Sequence, residues 1–260
     1  MIARRLSAQT YPLSDVSLER FAAILVRREL KKGALWLNQG EVCHELGYVH
    51  QGMVRQFYYK NNKEMTEHFS CEGSVFICIE SFLRQQPTSL LVEALEPTVI
   101  YGIPHDPLLA LCATHFEIEQ VYRGLLENSL ILSQNKADSL RFESANERYM
   151  RLLKEHPEIV QRAPLSCIAS YLQMTPETLS RVRASLLSHE VYENRTVYSL
   201  LYQCGLSRGR GGRLQIIAPF RIGRGLSVGS DLLWPADGKC RLSRQGDRFS
   251  ASHGAAFRDL

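Results

Sequence analysis

Ala163-Pro164-Leu165-Ser166-Cys167-Ile168-Ala169-Ser170-Tyr171-Leu172-Gln173-Met174-Thr175-Pro176-Glu177-Thr178-Leu179-Ser180-Arg181-Val182-Arg183 reads as two short helices meeting at a tight corner. Ile168, Leu172, Leu179 and Val182 supply their apolar faces, and the small Ala169 permits the close crossing such a corner requires. Thr175 is placed to cap the second helix. Pro176 suits its first turn, because proline has no N–H and the first turn offers that N–H no intrahelical acceptor. Glu177 and Arg181 are four apart and share one face, with Thr178 and Ser185 near it. A helix that enters the major groove reads base edges with its N-terminal residues. Glu accepts there from cytosine N4, and Arg forks onto guanine O6 and N7. The same spacing equally suits an ordinary helical hairpin with an exposed Glu–Arg pair.

Outward from this stretch the pattern changes several times. Val191-Tyr192-Glu193-Asn194-Arg195-Thr196-Val197-Tyr198 has the alternation of a short hairpin. On the other side, Ser144 with Glu147 three residues later forms a capping box, opening a helix that stops at His156-Pro157. Before it, residues 116–140 form one long helical stretch. Ile118, Val121, Leu125, Leu132 and Ser139 recur there at seam-like spacing. That stripe fits packing on its own domain, or a seam between two subunits. From Gly33 to about Pro104 short alternating runs recur between Gly33, Gly40, Gly47, Gly52 and Gly73, with Asn61-Asn62-Lys63 as a hairpin tip. Strands about ten residues apart with glycine turns indicate a small antiparallel barrel or roll. Residues 14–32 read as a helix capped by Ser14.

Residues 205–260 differ from all of this. They hold ten of the 17 glycines, and nine Arg and one Lys against four Asp give them +6, leaving −2 for residues 1–204 of a total of +4. With no sustained helix or strand period, the tail is expected to lack a packed core. The overall charge is therefore weak evidence for nucleic-acid binding, and that case rests on the motif. The seven cysteines include no C-x-x-C pair, and reduced core thiols are expected for most of them. The eight histidines form no H-E-x-x-H, and neither G-x-S-x-G nor G-x-x-x-x-G-K-S/T occurs, so no enzymatic activity, catalytic set or metal site is expected. Met1 to Leu6 carries two arginines with no apolar run behind them, and no stretch could span a bilayer. The expectation is a cytoplasmic protein without a membrane partner.

With these features assembled, the chain resembles the Crp/Fnr group of bacterial transcription regulators over roughly residues 10–200. The glycine-spaced roll (Gly33, Gly40-Glu41, Gly52), the long helix and the T-P-E-T-L-S-R stretch of a helix-turn-helix carry the resemblance. It implies an α+β fold. A cyclic-nucleotide-binding-like antiparallel β-roll would occupy residues 1–115, a dimerisation helix 116–140, and a winged helix-turn-helix 141–202, with a Gly/Arg-rich tail over 203–260. It also implies a homodimer on double-stranded, near-palindromic DNA, with RNA polymerase as a further partner. The DNA-contacting set would be Ser166, Thr175, Pro176, Glu177, Thr178, Arg181 and Arg183. The family's recognition helix usually opens Arg–Glu; Pro176 stands in place of that Arg, while Glu177 and Arg181 are kept.

Cyclic-nucleotide members hold the phosphate with a Gly-Glu turn and an Arg-Ser pair about ten residues on. The matching positions here are Ile79-Glu80 and Thr88-Ser89, and the phosphate-pairing arginine is missing. Glu80, Arg84, Thr88 and Ser89 are the candidate effector residues, for an unidentified small molecule other than cyclic AMP. No cofactor is named by the sequence. The alternative is a ligand-binding or protein-interaction module that has lost DNA binding.

Overall fold

The computed structural model describes residues 1–185 and the short segments 206–208 and 214–216. The hairpin expected at Val191–Tyr198 and most of the tail lie outside the described residues. In chain order the helices are α1 Ile2–Ala8, α2 Asp15–Ala23, α3 Ile79–Arg84, α4 His105–Cys112, α5 Phe116–Phe142, α6 Ala145–Glu155, α7 Pro157–Arg162, α8 Leu165–Tyr171 and α9 Pro176–Ser185. The strands are β1 Val26–Leu30, β2 Leu35–Leu37, β3 Glu45–Gln51, β4 Val54–Lys60, β5 Lys63–Ser70, β6 Val75–Phe76, β7 Leu91–Ala94, β8 Thr98–Pro104, β9 Leu206–Arg208 and β10 Leu214–Ile216.

The expected roll is two antiparallel four-stranded sheets, in the orders β1-β8-β3-β6 and β2-β7-β4-β5. Gly33, Gly40, Gly52 and Gly73 adopt positive φ, as turn glycines do. Gly47 does not. It sits inside β3 opposite Phe76, whose ring leaves no room for a Cβ: one built there would lie 2.1 Å from the ring carbon Cζ. Asn61 and Asn62 close the β4–β5 hairpin at φ 51 and 59, the two-residue turn that asparagine tolerates and that matches strand twist.

One core joins the inner faces of both sheets (Leu37, Leu46, Tyr48, Val54, Phe76, Val92, Ile100, Ile103) to Leu6 of α1, Phe21 of α2, Leu108 of α4, and Ile118, Val121 and Leu125 of α5. A second core holds Tyr149, Leu152, Leu153, Ile159, Val160, Ile168, Ala169, Leu172, Leu179 and Val182 around α6–α9. The roll contributes Met53 and Cys71 to it. Cys43, Cys71, Cys78 and Cys167 are buried free thiols, as core cysteines should be.

One expectation is corrected, and three further features are added. The helix over 14–32 ends at Ala23, and Val26–Leu30 is a strand paired with β8, residue by residue from Val26↔Gly102 to Leu30↔Thr98. That partner lies some 70 residues away, beyond the reach of local periodicity. Ser14 nevertheless caps α2 as expected, accepting from the Ser17 amide at 3.4 Å. The α1 helix, on which Leu6 is fully buried, was not anticipated. The α5 stripe of Ile118, Val121, Leu125 and Ser139 is buried within its own chain; Leu132 alone of the proposed seam residues stays exposed. Finally, Leu206–Arg208 pairs antiparallel with Leu214–Ile216, in a region where no element was expected. The Ser144 capping box is formed in full, with Glu147 returning a bond to the Ser144 amide at 2.8 Å. Among the described residues no helix is long and apolar enough to cross a membrane.

Candidate nucleic-acid interface

The corner between α8 and α9 is built as its residues require. The Thr175 hydroxyl accepts from the Thr178 amide at 3.1 Å, capping α9, and Pro176 is its first residue. Leu179 and Val182 turn inward onto the second core. Glu177, Ser180 and Arg181 are thereby left on the outer side, all exposed, with Thr178 half-buried at its border. Glu177 is held below the usual carboxylate range, first by its own backbone amide, then by the Thr175 hydroxyl and the positive charge of Arg181. It stays ionised at neutral pH, an acceptor beside a fork of donors. Ser166 is exposed on α8.

Arg183 belongs to another face. Its Nε donates to the Tyr149 hydroxyl at 3.1 Å and its guanidinium lies 5.5 Å from that ring, fastening α9 to α6. The predicted residues therefore separate into an outward group (Ser166, Pro176, Glu177, Arg181), a cap (Thr175, with Thr178 beside it) and a brace, Arg183.

A set of residues missed by the sequence reading docks this unit on the outer face of the β2-β7-β4-β5 sheet. Arg55 of β4 is buried there between Glu64 of β5 at 2.7 Å and Glu93 of β7 at 2.8 Å, and its second terminal nitrogen donates to Cys167 Sγ of α8 at 3.1 Å. Burial acts to lower the Arg55 pKa; the two carboxylates outweigh it and raise it. Arg162 of α7 forks onto Glu72 at 2.9 Å and also binds Glu96. The Ser170 hydroxyl of α8 donates to the Glu64 carbonyl at 2.9 Å and accepts from the Thr66 amide at 2.8 Å. Lys136 of α5 binds the Glu67 carbonyl and lies 4.9 Å from the centre of the Tyr171 ring. The available signal was a lone arginine within the apolar run Met53-Val54-Arg55-Gln56-Phe57.

The four candidate effector residues do not converge. Glu80 and Arg84 pair with each other at 3.3 Å along α3, their side chains 77% and 67% exposed. Thr88 is taken up by backbone pairing: its amide donates to the Glu41 carbonyl at 2.9 Å, and its hydroxyl accepts from the Leu90 amide at 3.0 Å. Ser89 is exposed. What fills the inner side of α3 is Phe82, fully buried against the rings of His105, 4.9 Å away, and Tyr122, 6.5 Å away. Beside it the Ser81 hydroxyl already accepts from the Cys43 amide at 2.9 Å and donates to the Gln86 carbonyl at 2.5 Å. Among the described residues no group of three or more His, Cys, Asp or Glu could hold a metal ion.

Residues 27–115 match the cyclic nucleotide-binding domain family. Comparison with curated protein sequences gives no match. Among solved structures, FixK2 from Bradyrhizobium japonicum superposes with a TM-score of 0.56 at 17% identity, over 75% of this chain and 93% of FixK2. A protein described as a Crp/Fnr-family transcriptional regulator from Eubacterium rectale gives 0.56 at 16% identity, over 79% of this chain and 91% of that one. The c-di-GMP-responsive global regulator CLP from Xanthomonas campestris gives 0.52 at 16% identity, over 79% of this chain and all of CLP. Likeness at this level of identity is likeness of fold.

Proposed function

We propose that the chain is a DNA-binding transcription regulator of Crp/Fnr type. It binds a near-palindromic site as a homodimer, reads it with α9, and acts on RNA polymerase. The observation that carries this reading is the outer side of α9. Glu177 and Arg181 stand exposed and free of any docking role, on a helix capped by Thr175 and braced through Arg183. A helix entering the major groove reads base edges with an exposed acceptor and an arginine fork at its first turns, and Glu177 and Arg181 are placed for that. The solved structures with this fold that are described as regulators agree with the reading.

The experiment is a selection from random DNA with the wild type and Arg181→Ala. The expected wild-type motif is a two-fold near-palindrome with half-sites about one helical turn apart. The variant should lose roughly 1–3 kcal/mol of discrimination at one base pair per half-site. Identical motifs from both proteins would remove Arg181 from base readout. No enriched motif at all would favour a module that has lost DNA binding.

Dimerisation would use the middle of α5, where Leu130, Ile131 and Leu132 are 65%, 55% and 56% exposed. Three consecutive exposed apolar residues on a helix are a burden on a monomer and suit a partner helix. Leu130→Asp with Ile131→Asp should give a monomer by light scattering, and a persistent dimer would place the seam elsewhere. For the roll, cyclic AMP is not the ligand: Phe82 occupies the inner side of α3, and Thr88 is tied into its loop. Calorimetry should show no binding of cyclic AMP, and a micromolar Kd would refute this.

A further inference from the structure

The β4–β5 hairpin ends in Lys60-Asn61-Asn62-Lys63, with the two lysines opposite each other in register. Both are exposed, and neither takes part in an ion pair among the described residues. The adjacent carboxylate, Glu64, points to Arg55 instead. Like charges placed across a strand pair repel, so this arrangement costs stability unless something anionic meets it. The two asparagines hold a two-residue turn, and the strands behind it pair antiparallel with one register shift between Gln56 and Phe57.

Its position gives it a use. Ser170 of α8 is bonded to the Glu64 carbonyl and the Thr66 amide, so α8 rests on β5 immediately beside Lys63. Ser166 lies four residues before Ser170 on the same stripe of α8 and is exposed. Through the corner at Gln173–Thr175, α8 leads into the outward face of α9. The basic tip thus lies beside the part of β5 on which α8 rests, and it carries the complementary charge to phosphate.

We infer that Lys60 and Lys63 form a second contact to the DNA phosphate backbone, extending the interface of α9 onto the roll; this rests on the DNA-binding reading. The contact adds affinity and salt sensitivity and carries no base preference, since lysine acts on phosphate as a point charge.

The test measures the affinity of the full-length protein for its selected duplex, with flanking sequence on both sides, across a range of salt. Each phosphate contact contributes roughly 0.9 to the slope of log K against log salt, so Lys60→Ala with Lys63→Ala should lower the slope by about 2 to 4 in a dimer. Lys60→Arg with Lys63→Arg should restore it, and the motif preferred in selection should not change. An unchanged slope with DNA still bound overturns this inference and leaves the parent reading standing, as would be seen if the lysines served an acidic protein surface. A changed motif overturns the assignment to phosphate. A wild-type protein that binds no DNA overturns both. Because neither lysine is buried or ion-paired among the described residues and their mutual repulsion is removed, the Ala variant should melt no lower than the wild type, so a lost slope reports contact rather than unfolding.

Discussion

The inner side of α3 and the outer side of α9 carry similar polar inventories and treat them in opposite ways. At α3 the Ser81 hydroxyl makes two internal bonds, Thr88 is bound into its loop, and Phe82 fills the space between them and α5. At α9 the bonds that tie the helix to its cap and to α6 come from Thr175 and Arg183, and Glu177 and Arg181 remain exposed on the outer side. Satisfied buried polar groups make a scaffold, and unspent exposed ones make a recognition surface. A roll whose residues 27–115 match the cyclic nucleotide-binding domain family thus has the inner side of α3 filled by Phe82 and by hydroxyls already bonded within the chain.

The comparison breaks most readily at Phe82. Phe82→Ala removes a fully buried ring between His105 and Tyr122 and should cost about 3–5 kcal/mol. Urea unfolding followed by circular dichroism would read the loss. A loss below about 1 kcal/mol would mean that the region collapses easily or already admits a ligand.

Local signals made much of this architecture readable in advance. The Ser144–Glu147 box, the Asn-Asn hairpin and the Thr175 cap each depend on residues within four positions, and all are formed. The long helix was expected over 116–140 and runs Phe116–Phe142. Periodicity identified its apolar stripe but could not say what the stripe meets, so Val121 and Leu125, buried in their own chain, were equally consistent with a subunit seam. The strand at Val26–Leu30 was hidden because its partner is distant in sequence. At the candidate site, Glu177 and Arg181 were readable because helical spacing alone puts them on one face. The outward turn of Glu80 and Arg84 was not, because it follows from Phe82 occupying the inner side. Arg55 was missed because its partners Glu64, Glu93 and Cys167 come from three different elements.

The junction between the two regions is sharpened by pH. His68 on β5 has its pKa lowered from 6.5 to about 4, by burial first and then by the charge of Lys136, with Glu67 opposing. The folded state therefore holds it neutral while the unfolded chain protonates it below about 6.5. Its contribution is complete above that pH and is lost as pH falls from about 6.5 to about 4. Stability should decline over this window, and His68→Gln should flatten the decline above about pH 5, where carboxylates have not yet begun to titrate. Parallel profiles for both proteins would show that His68 is not the responsible group.

Smaller effects are expected across the corner. Thr175→Ala removes the hydroxyl that accepts from the Thr178 amide and should cost about 1 kcal/mol of stability. Glycine at the same position should recover most of that loss, because its backbone opens an alternative to the side-chain cap. Equal losses for both substitutions in thermal unfolding would show that the hydroxyl does more than cap, such as supporting Thr178, whose own hydroxyl lies 3.1 Å away.

The smallest stability change should come where the largest functional one is proposed. Glu177 and Arg181 are exposed, make no contact that docks α9, and sit in the first turns of a helix whose inward face is already filled by Leu179 and Val182. Alanine is the better helix former at both positions, and surface substitutions of this kind usually stay within about 0.5 kcal/mol. Glu177→Ala loses a favourable charge near the helix start, which should cancel part of the gain in propensity. Arg181→Ala keeps that charge and loses only its i,i+4 attraction to Glu177, worth a few tenths of a kcal/mol at most. Thermal unfolding of the two variants should therefore bracket the wild type closely, while their DNA motifs diverge from it. A loss above about 1 kcal/mol in either variant would mean that these side chains hold the fold, and α9 would then resemble the inner side of α3 rather than stand against it.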